Sequence, residues 1–251
     1  MNSYLQLCTE FYDIDKPAAP PDALEFYLRY AQRARGAILE PMCGSGRFLI
    51  PLMQRGFDIE GVDASPHMLA ACRARCASLG LLPTLHPQFL HALSLKRPFN
   101  LAFIPAGSFT LITDLAQVKE SLRRIHAALL PGAKFVFETC RRKPEASHSW
   151  PWGGRWVQRD DGARIIISWL GHYDASTSTA HDVHRYDLVK DGVLLASQFE
   201  ELDRRRYTLK ELRLLLEEAG FREFKVFKAH ALRDPDDADE DVVVECCKTG
   251  T

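Results

Sequence analysis

The sequence has no apolar run approaching the roughly 18–20 residues that cross a bilayer, so no membrane partner is expected. Its start, Met1-Asn2-Ser3-Tyr4-Leu5, has no basic stretch leading into an apolar one. No secretory leader is therefore expected. There is no Cys-x-x-Cys pair; seven cysteines lie scattered, with Cys72 and Cys76 one helical turn apart and Cys246 beside Cys247. That spacing excludes the usual zinc frameworks, so no metal is expected, and it points to reduced, mostly buried thiols in a cytoplasm. Neither charge sign is in excess: 32 Lys and Arg face 33 Asp and Glu, for a net charge of −1. The electrostatic footprint of a nucleic-acid binder is missing. There is no internal repeat and no long low-complexity segment. What is present, 251 residues of which 46% are hydrophobic and 26% charged, suits one large α/β domain with room for a small subdomain.

Strands and helices alternate through the first half. The prolines of Lys16 to Pro21 make a loop, and a helix is expected from Asp22 to about Ala34. Ala37 to Glu40 reads as a short buried strand, followed by a turn and a helix from about Gly46, with Pro51 near its second turn. Phe57 to Val62 alternates as a second strand. Ser65-Pro66 pairs a favoured N-cap with a proline at the first helical position. Met68, Leu69, Cys72, Cys76 and Leu79 then give an apolar stripe. Further strands are expected at Leu85 to Phe89, Phe99 to Ile104 and Lys134 to Thr139, with a helix through Val118, Leu122, Ile125 and Leu129 that Pro131-Gly132 ends. Such alternation implies right-handed crossovers and a parallel sheet covered on both faces.

From Trp156 to about Arg206 the pattern changes to strands alone: Arg164 to Trp169, His181 to Val189 and Val193 to Leu202. Lys190-Asp191-Gly192-Val193 is a two-residue hairpin signal, because Asp-Gly accepts positive φ. An antiparallel meander is thus inserted after the fifth strand. Thr208 and Glu211 have the spacing of a capping box, Gly220 stops the helix, and Arg222 to Lys228 and Val242 to Cys246 are the last strands. The acidic run Asp234 to Asp241 reads as a solvated loop. The expected division is a helical cap at 1–35, a cofactor-binding core at 36–145, the β insertion at 146–206 and the rest of the core at 207–251.

The chemistry concentrates after the first strand. Glu40 is followed by Pro41-Met42-Cys43-Gly44-Ser45-Gly46-Arg47. Gly44 and Gly46 let the backbone approach a ligand, and the next helix offers free N–H groups at its positive end. The second strand ends at Asp63, whose carboxylate can accept both hydroxyls of a ribose. Together they point to a nucleoside-containing cofactor rather than a bare strand-to-helix turn. A dinucleotide fingerprint wants a third glycine where Leu49 stands, and a phosphate loop wants Gly-Lys-Ser/Thr where Gly46-Arg47-Phe48 stands.

The run Ile38 to Arg47 resembles motif I of the class I S-adenosylmethionine-dependent methyltransferases, and Gly61-Val62-Asp63-Ala64-Ser65-Pro66-His67-Met68-Leu69 resembles their second motif. Leu129 to Ala133, Glu217 to Phe221 and Tyr12-Asp13 are similar to weaker signatures of the small-molecule type. The resemblance implies a Rossmann-like, doubly wound α/β fold: a seven-stranded sheet in order 3-2-1-4-5-7-6 with the last strand antiparallel, to which the β-meander is added. It implies S-adenosyl-L-methionine as cofactor. Glu40, Cys43, Gly44, Ser45 and Gly46 would form the cofactor loop, with the two glycines flanking the methionine part. Asp63 would hold the ribose, Ala64 and Met68 would line the adenine, and Phe89 and Leu90 would form its edge. Ile104 and Pro105, with Ala106, would border the reacting methyl. Relatives often carry Asp at the Phe89 position and begin the fourth strand Phe-Asp, where this chain has Phe99-Asn100.

Methyl transfer from a sulfonium asks the protein mainly for alignment, so no fixed triad is expected. Acceptor-side candidates are Tyr12, the loop Ala106 to Phe109, and the meander. There His184 and Tyr186 share one strand face and His181 and Arg185 the other. Trp150, Trp152 and Trp156 are expected to pack the insertion against the core. The expected function is methyl transfer to a small-molecule acceptor; the alternatives are a nicotinamide-dependent oxidoreductase and a non-catalytic protein that retains the cofactor fold.

Overall fold

The computed structural model describes residues 4–142, 145–231, 233–236 and 238–250. Met1 to Ser3 of the leader argument and Asp237 of the acidic run lie outside them. Two helices come first, α1 (Gln6–Asp15) and α2 (Pro21–Ala34). The core then runs β1 (Ile38–Pro41), α3 (Leu49–Gln54), β2 (Ile59–Asp63), α4 (Pro66–Ser78), β3 (Thr84–Pro87), β4 (Phe99–Ile104), α5 (Leu115–Ala128) and β5 (Leu129–Cys140). The insertion is β6 (His148–Gln158), β7 (Arg164–Asp174), β8 (Thr179–Lys190) and β9 (Val193–Arg205). The chain closes with α6 (Leu209–Glu218), β10 (Phe221–Lys228) and β11 (Asp241–Lys248).

The main sheet is ordered β10-β11-β5-β4-β1-β2-β3, with β11 antiparallel to both neighbours. This is the expected order 3-2-1-4-5-7-6. One layer of core packs Phe99, Ile104, Phe135 and Phe137 beneath α5 and α6. The other packs Ile38, Leu101, Phe103 and Val136 beneath α2, α3 and α4. The second sheet, β6-β7-β8-β9, is an antiparallel meander. Its β8–β9 turn carries Asp191 at φ 50° and Gly192 at φ 78°, as the Asp-Gly pair requires.

Local signals set several boundaries. Ser65 Oγ accepts from the Met68 N–H at 3.2 Å and Pro66 opens α4. Thr208 Oγ1 accepts from the Glu211 N–H at 3.1 Å, but the Glu211 carboxylate turns away to Arg205, so the capping box is half made. Other expectations shift. Helix α3 starts three residues later than Gly46, which places Pro51 in its first turn, where a missing N–H leaves no bond unmade. Leu79 caps α4 half exposed instead of extending the apolar stripe. Leu129 is already strand, and Pro131-Gly132 lie within β5 at a shift in its register with β4.

Two elements escape the sequence pattern. Helix α1 has Leu5 at its N-cap and no side-chain cap of its own. Strand β6 is broken in register between Trp150 and Gly153, around Pro151. Trp152 and Trp156 are exposed rather than packed against the core, Trp156 lying under the Arg164 guanidinium, while Trp150 donates its Nε1 proton to Asp182 at 3.0 Å. These aromatics extend a sheet whose inner face is already filled by α1.

Candidate functional site

A cavity of about 630 Å³ opens above the carboxyl ends of β1, β2 and β4. Chain order reverses between β1 and β4, the position at which open α/β sheets bind ligands. The floor is the loop after β1. Gly44 (φ 54°) and Gly46 (φ 84°) take left-handed backbone that favours glycine, and a Cβ on Gly46 would sit 2.7 Å from Cys72 Sγ. Leu49, where a dinucleotide loop has its third glycine, is fully buried against β2. The room for it comes from Gly61: a Cβ there would lie 3.0 Å from Leu49 Cδ1 and 2.7 Å from Cys43 Sγ. The loop is thus built around a leucine and not around a close helix–strand approach.

Asp63 terminates β2 and faces the cavity, partly buried. Its two oxygens accept from the Gly44 N–H and the Ser65 N–H, each at 2.8 Å. Burial raises its pKa, while the N–H groups of Ser65, Gly44 and Ala64 pull it back. A carboxylate has about four lone-pair sites, so acceptor capacity remains on the cavity side. Glu40, at the end of β1, is buried and keeps Oε2 without a partner. Burial holds its carboxyl well above the usual range, against the nearby Arg47 cation and the Leu49 N–H. Arg47 is itself buried, its guanidinium 5.2 Å from the Tyr12 ring centre.

The roof is α1. Tyr4, Leu5 and Tyr12 line the cavity from above. Burial raises the Tyr12 pKa, opposed by Arg47. At its far end Asp13 accepts from Ser45 Oγ at 2.5 Å, and Arg75 bonds Asp13, Ser45 and the Pro17 carbonyl. At its near end Glu200 of β9 accepts from the Tyr4 and Leu5 N–H groups at 2.8 and 2.7 Å, and Gln198 from Leu7 at 2.8 Å. The Tyr4 carbonyl accepts from Ser65 Oγ. Leu7, Cys8 and Phe11 bury themselves against Ile165, Ile167 and Tyr186. The insertion therefore holds the roof, and the roof meets the loop of β1.

Residues 38–132 match the family model described as a methyltransferase domain. Two bacterial proteins that carry a methyltransferase name without a stated acceptor are similar to the chain. One, from Geobacillus sp. (strain WCH70), is 25% identical over 51% of this chain, and the match spans only 54% of that protein's length. The other, YqeM of Bacillus subtilis (strain 168), is 22% identical over 86% of this chain and 85% of its own. Among solved structures, the S-adenosylmethionine-dependent methyltransferase from Clostridium acetobutylicum ATCC 824 superposes with a TM-score of 0.79 at 17% identity, over 99% of this chain and 100% of that one. The sugar N-methyltransferase KedS8 from Streptoalloteichus sp ATCC 53650 gives 0.77 at 16%, over 100% and 96%. At such identities the likeness establishes the Rossmann-like methyltransferase fold, meander included.

Glu40, Cys43, Gly44, Ser45, Asp63, Ala64, Met68, Phe89, Leu90 and Pro105 line the cavity together. Gly46 lies just behind the wall and Ile104 is fully buried beneath it. Tyr12 lines the cavity; His184 and Tyr186 are outside its lining, on the face of the meander that meets α1. His181 pairs with Asp203 and Arg185 with Asp187 on the opposite face. Phe89 is half exposed, its ring stacked on His91 at 5.4 Å. The sequence places Arg47 at the end of the motif I run without giving it a role, and Tyr4 precedes any recognisable pattern; both line the cavity. Among the described residues no group of three or more His, Cys, Asp or Glu is arranged to hold a metal ion.

Proposed function

We propose that the chain is an S-adenosylmethionine-dependent methyltransferase acting on a small-molecule acceptor. The observation that carries this is one cavity joining the glycine loop, the Asp63 carboxylate and a buried, half-unpartnered Glu40 beneath a tyrosine-lined roof. The donors fit the group. Glu40 Oε2 offers an acceptor to the methionyl ammonium, Arg47 a cation to its carboxylate, and Asp63 two oxygens to the ribose hydroxyls. Phe89 offers a ring face to the adenine. The bound cofactor supplies an activated methyl on sulfonium. The protein's part is to fix donor and acceptor in line and to exclude water. Pro105 and Tyr12 flank the remaining space, and Tyr12, held neutral by burial, is a hydrogen-bonding group for an acceptor hydroxyl or amine.

The roof supports a small acceptor, since Tyr4, Leu5 and Tyr12 cover the cavity from above, and the net charge of −1 offers no attraction to nucleic acid. Buried Leu49 disfavours the nicotinamide alternative. The test is calorimetric titration with S-adenosylmethionine, S-adenosylhomocysteine and NAD, followed by mass spectrometry of an acceptor panel. Amino sugars come first in the panel, because KedS8 and the amino pentose methyltransferase CalS10 share the fold. Binding of NAD alone overturns the proposal; cofactor binding without turnover across the panel favours a non-catalytic binding protein.

A further inference from the structure

We propose that the purine edge of the bound nucleoside is read from helix α5, by Ser121 and Gln117, and not by a side chain of the loop after β3. This rests on the reading of the cavity as an S-adenosylmethionine site. With Asp63 at the ribose, the base must extend away from the glycine loop. Leu90, Pro105 and the α5 residues Gln117 and Ser121 line the same cavity.

The loop after β3 lines the cavity with Gln88, Phe89, Leu90 and His91, and offers no carboxylate and no free amide. Gln88 is closed on itself: its Oε1 accepts from the Ser94 N–H at 2.8 Å and its Nε2 donates to the Ser94 carbonyl at 3.1 Å. Phe89 presents a ring, stacked on that of His91. A flat aromatic pair holds a base by its face and is silent about its edge.

Helix α5 has what the loop lacks. Asp114, Gln117 and Ser121 recur at helical spacing and all line the cavity. Asp114 is occupied as N-cap, accepting from the Gln117 N–H at 2.8 Å. Ser121 is fully buried, and its Oγ has no hydrogen-bond partner among the described residues. The rest of that buried face is Val118, Leu122 and Ile125, built into the apolar core. A hydroxyl buried there without a partner is costly, and Ser121 is the one such position that reaches the cavity. Serine hydroxyl and glutamine amide each donate and accept. Ser121 and Gln117 can therefore accept from the exocyclic amine of adenine and donate to the adjacent ring nitrogen.

The test titrates the full chain with S-adenosylhomocysteine and with its purine counterpart, in which hydrogen replaces the amine. Wild type is expected to favour the adenine compound by about tenfold or more. Whichever of Ser121→Ala and Gln117→Leu removes the acceptor is expected to weaken the adenine compound by roughly three- to tenfold and to leave the purine compound within about twofold, so that discrimination collapses. Ser121→Ala keeps a strong helix former and Gln117 is exposed; thermal melts check that both fold. Equal losses for the two compounds, or unchanged discrimination in both variants, overturn the inference while leaving the cofactor reading intact. Failure of wild type to bind S-adenosylhomocysteine overturns the cofactor reading and this inference with it.

Discussion

Asp63→Ala removes a carboxylate that serves two structures at once. In the protein it accepts from the Gly44 and Ser65 N–H groups, each at 2.8 Å, and so ties the glycine loop to the start of α4. Toward the cavity it offers its remaining lone pairs to a ribose. A hydrogen bond to a charged group contributes about 1.5–3 kcal/mol, and the loss of one such partner to a ligand about 1–3 kcal/mol. At 1.4 kcal/mol per factor of ten, cofactor affinity should fall roughly 5- to 150-fold. The two N–H groups sit where water can reach them in part, so the stability loss should be about 1–3 kcal/mol rather than the full sum. Calorimetric titration reads the first quantity and urea unfolding the second. Asp63→Asn separates them. It keeps one oxygen for one N–H but sets an NH₂ against the other donor, so loop stability recovers in part while affinity stays low. A folded Asp63→Ala protein with wild-type affinity refutes the assignment of this residue to the ribose.

Gly46→Ala combines left-handed backbone with a Cβ 2.7 Å from Cys72 Sγ, and should cost about 1–3 kcal/mol of stability by urea unfolding. Glu200→Gln removes the charge that holds the Tyr4 and Leu5 amides just ahead of α1. It should lower stability by about 1–3 kcal/mol and hasten proteolytic cleavage near Tyr4; unchanged cleavage kinetics would show that the roof is held elsewhere. His230 sits 3.0 Å from Glu138 with Asp22 nearby, and bonding to Glu138 raises its pKa above 6.5, with Asp241 also facing the group. A raised folded pKa gives stability that is full below the unfolded value and lost as pH rises through the folded one. The stability gap between wild type and His230→Gln should therefore be widest below about pH 6.5 and shrink as pH rises above it. A gap that widens with pH contradicts this.

The sequence by itself determined the parts that depend on near neighbours. Ser65-Pro66, Thr208 and Asp191-Gly192 set their caps and turn locally, and the alternation of strand and helix dictated the parallel sheet. Gly44, Gly46 and Asp63 were legible because a glycine loop and a strand-end carboxylate are short-range patterns. The tertiary structure decided what needs distant partners. Helix α1 has no side-chain cap of its own; the Tyr4 and Leu5 amides ahead of it and the Leu7 amide in its first turn are satisfied by Glu200 and Gln198, nearly two hundred residues away. Strand β6 carries Pro151 and two glycines, and exists because β7 supplies its hydrogen bonds. Arg47 meets Tyr12 only when α1 folds over the loop of β1, and Ser121 lines the same cavity only because α5 packs beside it. Local propensity fixes where elements begin and which way they face. Which side chains meet across a cavity is set by packing, and no window of sequence contains both partners.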